Sequence, residues 1–227
     1  MKRSEINQEI KAAEEFFAKH NFKLPKFAQW NKEDWEACGE ESEEIFDCQL
    51  GWDVTDFGRN DFKNQGLLLF TIRNGVNNSS KYTKKYAEKI MISRSNQVTL
   101  MHCHETKTED IINRAGGTLV FELYNRIPNT RFLDTTPVTL VKDGTKITVN
   151  AGEKLYLSPG ESITLEPNVF HKFYADSDGD VLIGEVSSVN DDHTENVFHE
   201  EQLRFPEIEE DVPPYRYMVG DYSNFKK

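Results

Sequence analysis

The sequence of 227 residues predicts a mainly β fold, a single barrel with a helical N-terminal extension. From residue 45 onward, short apolar runs alternate with turns rich in Gly, Pro and Asp, which is typical of sandwiches and barrels and not of alternating βαβ units. Helical spacing of apolar residues is confined to the start of the chain. We therefore predict a helical extension over 1–44, a barrel over 45–190 and an irregular tail of the same domain over 191–227.

The first helix is predicted over residues 4–19, with Ser4 as its N-cap. The apolar residues that recur on one face of this helix are Ile6, Ile10, Ala13 and Phe17. A second, short helix is predicted in "WNKEDWEAC". Asn31 would cap this helix, and Trp30 and Trp35 stand at the two positions of a hydrophobic staple.

The barrel strands are predicted from runs that turn signals separate. The acidic run at 40–44 is predicted to be a solvated linker that leads into them. "GLLLFTIRNG" ends at Asn74-Gly75, and "VTLVKDGTKITV" predicts a hairpin whose turn holds Asp143-Gly144. The runs "EKLYL", "SITLE", "VFHKFY" and "VLIGEVSSV" follow.

The composition disfavours several classes of partner. Acidic residues outnumber basic ones by 39 to 27, for a net charge of −12, whereas nucleic-acid binding needs clustered Lys and Arg. No apolar run approaches the ~20 residues that cross a bilayer, and the first residues lack the apolar core of a signal peptide. The three cysteines form no disulfide pattern. We expect a soluble, cytoplasmic protein that binds neither nucleic acid nor membranes.

A metal site is predicted in "QVTLMHCHE", which we place on a strand. Because side chains alternate between faces, His102 and His104 point the same way, with Cα atoms ~6.7 Å apart, so that both can reach one ion. Val98 and Leu100 would share this face; Thr99, Met101 and Cys103 would lie on the other, which excludes Cys103 as a ligand. Glu109 follows a short turn and can return a carboxylate to the same ion.

The fourth ligand is expected from another strand of the barrel. Four other histidines are available, namely His20, His171, His193 and His199. His171 alone lies on a convincing strand, after a turn marked by proline. Three imidazoles and one carboxylate suit a single divalent ion such as Mn²⁺, Fe²⁺, Co²⁺, Ni²⁺ or Zn²⁺ with two positions left for water or substrate.

The histidine segment resembles the first motif of the cupin superfamily. In "HCHETKTEDIINRAGG", His102, His104, Glu109 and Gly116 fall on the family's H-x-H, Glu and Gly positions. "GESITLEPNVFH" resembles the second cupin motif, which ends at His171. The sequence departs from the family at Asn96, where glycine is usual, and at Pro167, which is one place late. Neither departure removes a ligand.

Longer segments resemble the D-lyxose isomerases of this superfamily over essentially the whole chain. The segments that carry the resemblance are "HxHxxKxEDIINRxGG", "LGWDVTDFG", "LFTIRNG" and "GEVSSVNDDHTENVF". The resemblance implies a cupin-type β-barrel and an aldose–ketose isomerase that interconverts D-lyxose and D-xylulose, and also D-mannose and D-fructose. It further implies Mn²⁺ as the usual activator and a homodimer.

Two residues are candidates for moving protons in such a reaction. Glu185 is the only charge in the apolar run "VLIGEVSSV", so burial would make it either an ion-paired structural group or a base with a useful pKa. Lys107 lies between His104 and Glu109, where its ammonium could stabilise an enediolate or shuttle a hydroxyl proton. The alternative for Lys107 is an exposed loop lysine.

Other polar residues are candidates for supporting roles. Lys89, Asp53 and Asp56 are predicted to bind substrate, although Lys89 could be a solvated edge residue and the aspartates could cap a turn. Asp110 and Arg114 are predicted to orient a ligand such as Glu109. A third group, Asp191, Asp192 and Glu195, is predicted to be a solvated loop and not a second metal site.

Three other functions remain compatible with the predicted ligands. A cupin dioxygenase or oxidase can use the same three histidines and one glutamate. A cupin phosphosugar isomerase would need a phosphate pocket, for which the sequence offers no distinct motif. A sugar-binding or structural cupin is disfavoured because all four ligand candidates are present.

Overall fold

The computed structural model describes residues 1–192 and 194–225. Three α-helices come first, and fourteen strands are described after them. The helices are α1 (Arg3–Lys19), α2 (Lys32–Glu36) and α3 (Glu43–Asp47). The strands are β1 (Gly51–Thr55), β2 (Leu67–Arg73), β3 (Tyr86–Ser93), β4 (Thr99–His104), β5 (Glu109–Gly116), β6 (Leu119–Arg126), β7 (Leu133–Asp134), β8 (Val138–Lys142), β9 (Thr145–Val149), β10 (Lys154–Leu157), β11 (Ser162–Leu165), β12 (Val169–Ala175), β13 (Val181–Ser188) and β14 (Asn196–Phe198).

The strands form two antiparallel sheets that close into the predicted cupin-type barrel. The larger sheet has the order β1-β2-β3-β13-β5-β11-β8-β9, and the smaller has the order β10-β6-β12-β4-β14, with β7 paired to β6. The predicted hairpin is confirmed, since β8 and β9 pair around Asp143 and Gly144, which both have positive φ. Apolar side chains of both sheets, among them Ile111, Phe121 and Phe173, form the barrel core.

Helix α1 covers the outer face of the larger sheet. Its predicted apolar face is confirmed, because Ile6, Ile10, Ala13 and Phe17 are buried against strand residues such as Trp52 and Phe70. The predicted N-cap at Ser4 is wrong. The helix begins at Arg3, and the Ser4 hydroxyl instead donates to Asp211 at 2.7 Å.

The segment between α1 and the barrel is more helical than predicted. Asn31 caps α2 as expected by accepting from Asp34 N, and the Trp30 and Trp35 rings meet edge to face at 5.1 Å. The acidic run at 40–44 is largely exposed, as predicted, but the prediction of a linker is wrong because the run is helical. Glu40–Ser42 forms a 3₁₀ turn that runs directly into α3. Acidic residues at the start of α3 stabilise this helix through their favourable interaction with its dipole.

The tail returns to both the barrel and α1. Strand β14 pairs with β4, so part of the tail is a regular element of the smaller sheet. Farther on, the buried guanidinium of Arg3 contacts Glu210 at 2.6 Å and Asp221 at 2.7 Å. These contacts fasten the tail across the start of α1.

No helix within residues 1–192 or 194–225 combines the length and apolar character that crossing a membrane requires.

Candidate active site

Three histidines meet where β4 and β12 pair inside the barrel. His102 lies opposite His171 in the β4–β12 ladder, and the ligand nitrogens of His102, His104 and His171 all lie within 4.8 Å of one another. The register shifts between His171 and Phe173, because Phe173 pairs with Thr99. This bulge places Thr99 in the lining of the histidine pocket, whereas strict alternation predicted the opposite face.

Hydrogen bonds fix the orientation of two of the three imidazoles. The Nδ1–H of His102 donates to the Leu100 carbonyl at 2.7 Å, and the Nδ1–H of His171 donates to the Val169 carbonyl at 3.0 Å. A neutral imidazole that is protonated at Nδ1 carries its lone pair on Nε2. The two Nε2 atoms lie 3.1 Å apart, so both lone pairs face the same small space.

Glu109 brings a carboxylate to this space from β5. Its Oε1 lies 3.1 Å from His171 Nε2 and 3.3 Å from His104 Nε2, yet it makes no hydrogen bond and is buried. A buried carboxylate oxygen without a donor is costly. The converging Nε2 atoms and this oxygen form a donor set that fits a divalent cation.

The charge on Lys107 shapes the electrostatics around Glu109. The Lys107 ammonium is 2 % exposed and lies 3.0 Å from Glu109 Oε2, so the alternative of an exposed loop lysine is wrong. Burial opposes ionisation of Glu109, but Lys107 and His104 hold the pKa of that carboxyl well below its usual range. Burial likewise opposes the charge on Lys107, but the carboxylates of Glu109, Glu185 and Glu195 raise its pKa.

Two of the imidazoles, those of His104 and His102, are held in the neutral form that binds metal. Burial, aided by the Lys107 ammonium, lowers the pKa of His104 to about 4. Burial and the neighbouring imidazoles of His171 and His104 lower the pKa of His102 well below its usual value. Neutral histidine is the form that offers a lone pair to a cation.

Glu185 enters the same pocket from β13. Its Oε1 lies 3.2 Å from Lys107 Nζ and 3.4 Å from Lys89 Nζ, and its side chain is buried. Glu185 is thus ion-paired, as one of the two alternatives predicted, but both partners also line the pocket. Lys89 is buried, so it is not a solvated edge residue. Asn190 Oδ1 accepts from both lysines, at 2.5 Å from Lys89 and 3.2 Å from Lys107.

The tail supplies one wall of the pocket. Asn196 and Phe198 of β14 line the pocket together with Arg204. Arg204 Nη2 lies 2.6 Å from Asp53 and 3.2 Å from Asp192. Asp53 therefore acts on the pocket through Arg204 and does not itself line it.

Asp56 does not reach the histidine pocket. Its carboxylate is buried, and Oδ1 accepts from Gly58 N at 2.9 Å, so it caps the turn after β1. Asp56 instead lines a separate groove on the outside of the barrel. This placement corrects the predicted substrate contact in favour of the turn-capping alternative.

Asp110 and Arg114 do not orient Glu109. On β5 the inward residues are Glu109, Ile111 and Asn113, and alternation turns Asp110 and Arg114 outward. Asp110 accepts from the Thr164 hydroxyl at 2.5 Å, and Arg114 is exposed beside Gly184. The prediction that Asp110 and Arg114 orient Glu109 is wrong, since Lys107 contacts the Glu109 carboxylate instead.

The segment after β13 holds site residues that were not predicted from the sequence. Glu195 is 5 % exposed, and its Oε1 lies 3.5 Å from Lys107 Nζ and 3.9 Å from His104 Nδ1. Asp192 lines the pocket. The prediction of a solvated loop is therefore wrong for both residues. It was made because acidic stretches of this kind are usually exposed to solvent. His193 lies outside the described residues.

Known proteins are similar to this chain over nearly its whole length. The D-lyxose isomerase family matches residues 1–222. A protein of Escherichia coli O157:H7 named D-lyxose/D-mannose isomerase is 47 % identical over 228 residues, which is 100 % of both chains. A protein of Serratia proteamaculans with the same name is 47 % identical over 99 % of each chain.

Solved structures share the fold at low sequence identity. The ligand-free L-ribose isomerase of Cellulomonas parahominis has a TM-score of 0.61 at 12 % identity and covers 92 % of this chain and 98 % of its own. The L-ribose isomerase of Geodermatophilus obscurus has a TM-score of 0.60 at 14 % identity, with the same coverage. With the family match over residues 1–222, the chain belongs to the D-lyxose isomerase family and hence to the aldose–ketose isomerases.

Proposed function

We propose that this protein is a metal-dependent isomerase that interconverts D-lyxose with D-xylulose and D-mannose with D-fructose. The observation that carries the proposal is the convergence of His102, His104, His171 and Glu109 on one point beside Glu185 and Lys107. The curated relatives at 47 % identity, which are named D-lyxose/D-mannose isomerases, support the choice of sugars.

We assign the ion to the three Nε2 atoms and to Glu109 Oε1, with Mn²⁺ as the expected metal. When bound, a divalent ion would polarise the sugar carbonyl and stabilise negative charge that develops on O1 and O2. The neutral imidazoles and the ionised Glu109 are the protonation states that such binding requires.

Glu185 is the proposed base. Its carboxylate would take the proton from C2 of the aldose and return it to C1, by way of a cis-enediol. The Lys107 ammonium, 3.2 Å from Glu185, would hydrogen-bond to the oxygens and let the O2 hydroxyl proton pass to O1. Two protons leave C2 and O2, and two arrive at C1 and O1, so that atoms and charge balance.

Lys89 and Arg204 are proposed to orient the substrate. Each cation that lines the pocket in the described part of the chain is paired with a carboxylate: Lys89 and Lys107 with Glu185, and Arg204 with Asp53 and Asp192. A phosphate would need free positive charge, so free sugars fit the pocket better than phosphosugars.

A direct assay tests the proposal. We expect protein reconstituted with Mn²⁺ to form ketose from D-lyxose and D-mannose, to lose this activity with chelator, and to regain it on readdition of Mn²⁺. Oxygen uptake on candidate oxidisable substrates would be followed in parallel. Oxygen consumption without isomerisation would favour a cupin dioxygenase or oxidase instead.

The assembly is proposed to be a homodimer, on the resemblance to the family. Light scattering coupled to size-exclusion chromatography measures the mass in solution. A mass of one chain, near 26.3 kDa, would contradict this proposal.

A further inference from the structure

The three imidazoles of the site are not held alike. His102 and His171 each donate from Nδ1 to the backbone carbonyl two residues earlier. The Nδ1 of His104 is buried and has no hydrogen-bond partner. No hydrogen bond among the described residues therefore fixes the tautomer or the ring orientation of His104.

Glu195 presents the acceptor that His104 lacks. Its Oε1 lies 3.9 Å from His104 Nδ1, and this oxygen is also buried without a hydrogen-bond partner. Two unsatisfied buried polar atoms are thus adjacent, each at a free-energy cost that one hydrogen bond between them would remove.

The backbone ties Glu195 to the strand that carries His104. The Glu195 carbonyl accepts from Glu105 N, the residue after His104, at 3.2 Å. The next residue, Asn196, is the ladder partner of His104 in the β14–β4 pair. The gap between the two side chains can therefore close by side-chain rotation, without moving either strand.

We propose that Glu195 is a positioning residue that accepts the Nδ1–H of His104 and so reserves Nε2 for the metal ion. This inference rests on the metal binding of the proposed function. A carboxylate in this place orients the ring and makes the coordinating nitrogen more basic.

Pairing with Lys107 is the competing role for Glu195. Lys107 Nζ lies 3.5 Å from Glu195, but 3.0 Å from Glu109 and 3.2 Å from Glu185. The ammonium thus keeps two closer carboxylates without Glu195, whereas no other carboxylate is in contact with His104 Nδ1 among the described ion pairs.

Metal affinity of the purified protein is the first test. We expect Glu195→Ala to weaken the binding of Mn²⁺ and Zn²⁺ by roughly 10- to 100-fold in chelator competition. Glu195→Gln keeps an oxygen that can accept, so we expect a smaller loss. Glu105→Gln is the matched control, because Glu105 follows His104 but is exposed, and its affinity should stay within about twofold of wild type.

The second test uses the Zn²⁺-loaded protein and ¹⁵N-labelled histidine. In wild type, NMR should show His104 bound to metal through Nε2 with a slowly exchanging Nδ1–H. Glu195→Ala should lose that proton signal, while those of His102 and His171 persist and report an intact fold. Coordination of His104 through Nδ1, or an unprotonated Nδ1, in wild type would overturn the inference even if no variant folds.

Different measured outcomes would contradict the metal site and the role of Glu195. If wild type binds no metal, or if His171→Gln binds it as tightly as wild type does, the proposed site is wrong. If wild type binds metal and Glu195→Ala matches it in affinity and in the His104 signal, only the role of Glu195 is wrong.

Discussion

His102 and His171 face each other across β4 and β12 with their Nε2 atoms 3.1 Å apart. Both rings donate from Nδ1 to backbone carbonyls, so each ring in its neutral form presents a lone pair on Nε2 to the other. Two lone pairs at this distance repel, and a cation between them and Glu109 relieves the repulsion. Cation binding should therefore stabilise the folded protein.

Metal should raise the unfolding temperature. At a free Mn²⁺ concentration about 100 times Kd, the linkage gives about 2.7 kcal/mol, or on the order of 5–10 °C for a chain of this length. Differential scanning calorimetry with increasing Mn²⁺ measures the shift. His171→Gln should abolish most of it, and an equal shift in that variant would argue against the four-ligand assignment.

Replacing Glu185 should separate metal binding from proton transfer. We expect Glu185→Gln to retain metal but to slow exchange of the substrate C2 proton with solvent by roughly 10²- to 10⁴-fold, because the amide cannot act as the base. Exchange into deuterated water, followed by NMR, measures this. Asp110→Asn is the control, since Asp110 faces outward from β5, and it should exchange normally. Near-normal exchange in Glu185→Gln would move the role to Lys107 or another group.

The metal-free protein should lose stability as the pH falls below neutrality. Burial lowers the pKa of His104 from 6.5 to about 4, so within this window the unfolded chain binds more protons there than the folded chain does. The free energy of unfolding therefore falls as pH is lowered through the window, by about 3 kcal/mol from this residue, and His102 acts in the same direction.

Urea unfolding of chelator-treated protein between about pH 7 and about pH 5 measures this slope. His104→Gln should flatten it. A slope that His104→Gln does not alter would assign the pH dependence to other groups.

The ion pair between Arg3 and Asp221 should contribute strongly to stability. Arg3 is 1 % exposed, so Arg3→Met leaves a largely buried carboxylate without its cation and should cost about 3 kcal/mol of unfolding free energy. Arg59→Met removes a pair with exposed Glu200 and should cost less than about 1 kcal/mol. Chemical denaturation compares the two variants, and equal losses would mean that burial of the Arg3 pair has no special weight.

Three of the metal-ligand candidates could be predicted because their spacing is local, and His171 because it was the one other histidine on a convincing strand. His102 and His104 are two apart on one strand, Glu109 follows a short turn, and His171 stands on a strand that a proline-marked turn precedes. The same alternation rule, applied to β5, would have turned Asp110 and Arg114 away from Glu109. The bulge that moves Thr99 into the pocket has no comparable signal in the sequence, because it depends on pairing with Phe173.

Tertiary contacts decide the parts that could not be predicted. Glu195, Asn190 and Asp192 lie in a polar segment whose composition is typical of solvent exposure, yet Glu195 is buried next to the β14–β4 pair and the other two are half-buried. Ser4 was predicted as an N-cap because serine is a preferred capping residue, and its actual hydroxyl partner, Asp211, lies about two hundred residues away in the sequence. Such contacts follow from the closed fold and not from local preference.

The pairing of β14 with β4 has a consequence for synthesis on the ribosome. The last ligand candidate, His171, is translated before the segment that carries Asn196, Phe198 and Arg204, and these later residues form one wall of the pocket. A nascent chain that has just completed β13 therefore holds all three histidines while that wall is still missing. Metal captured at that point would be more open to water and to competing ligands than metal in the finished protein.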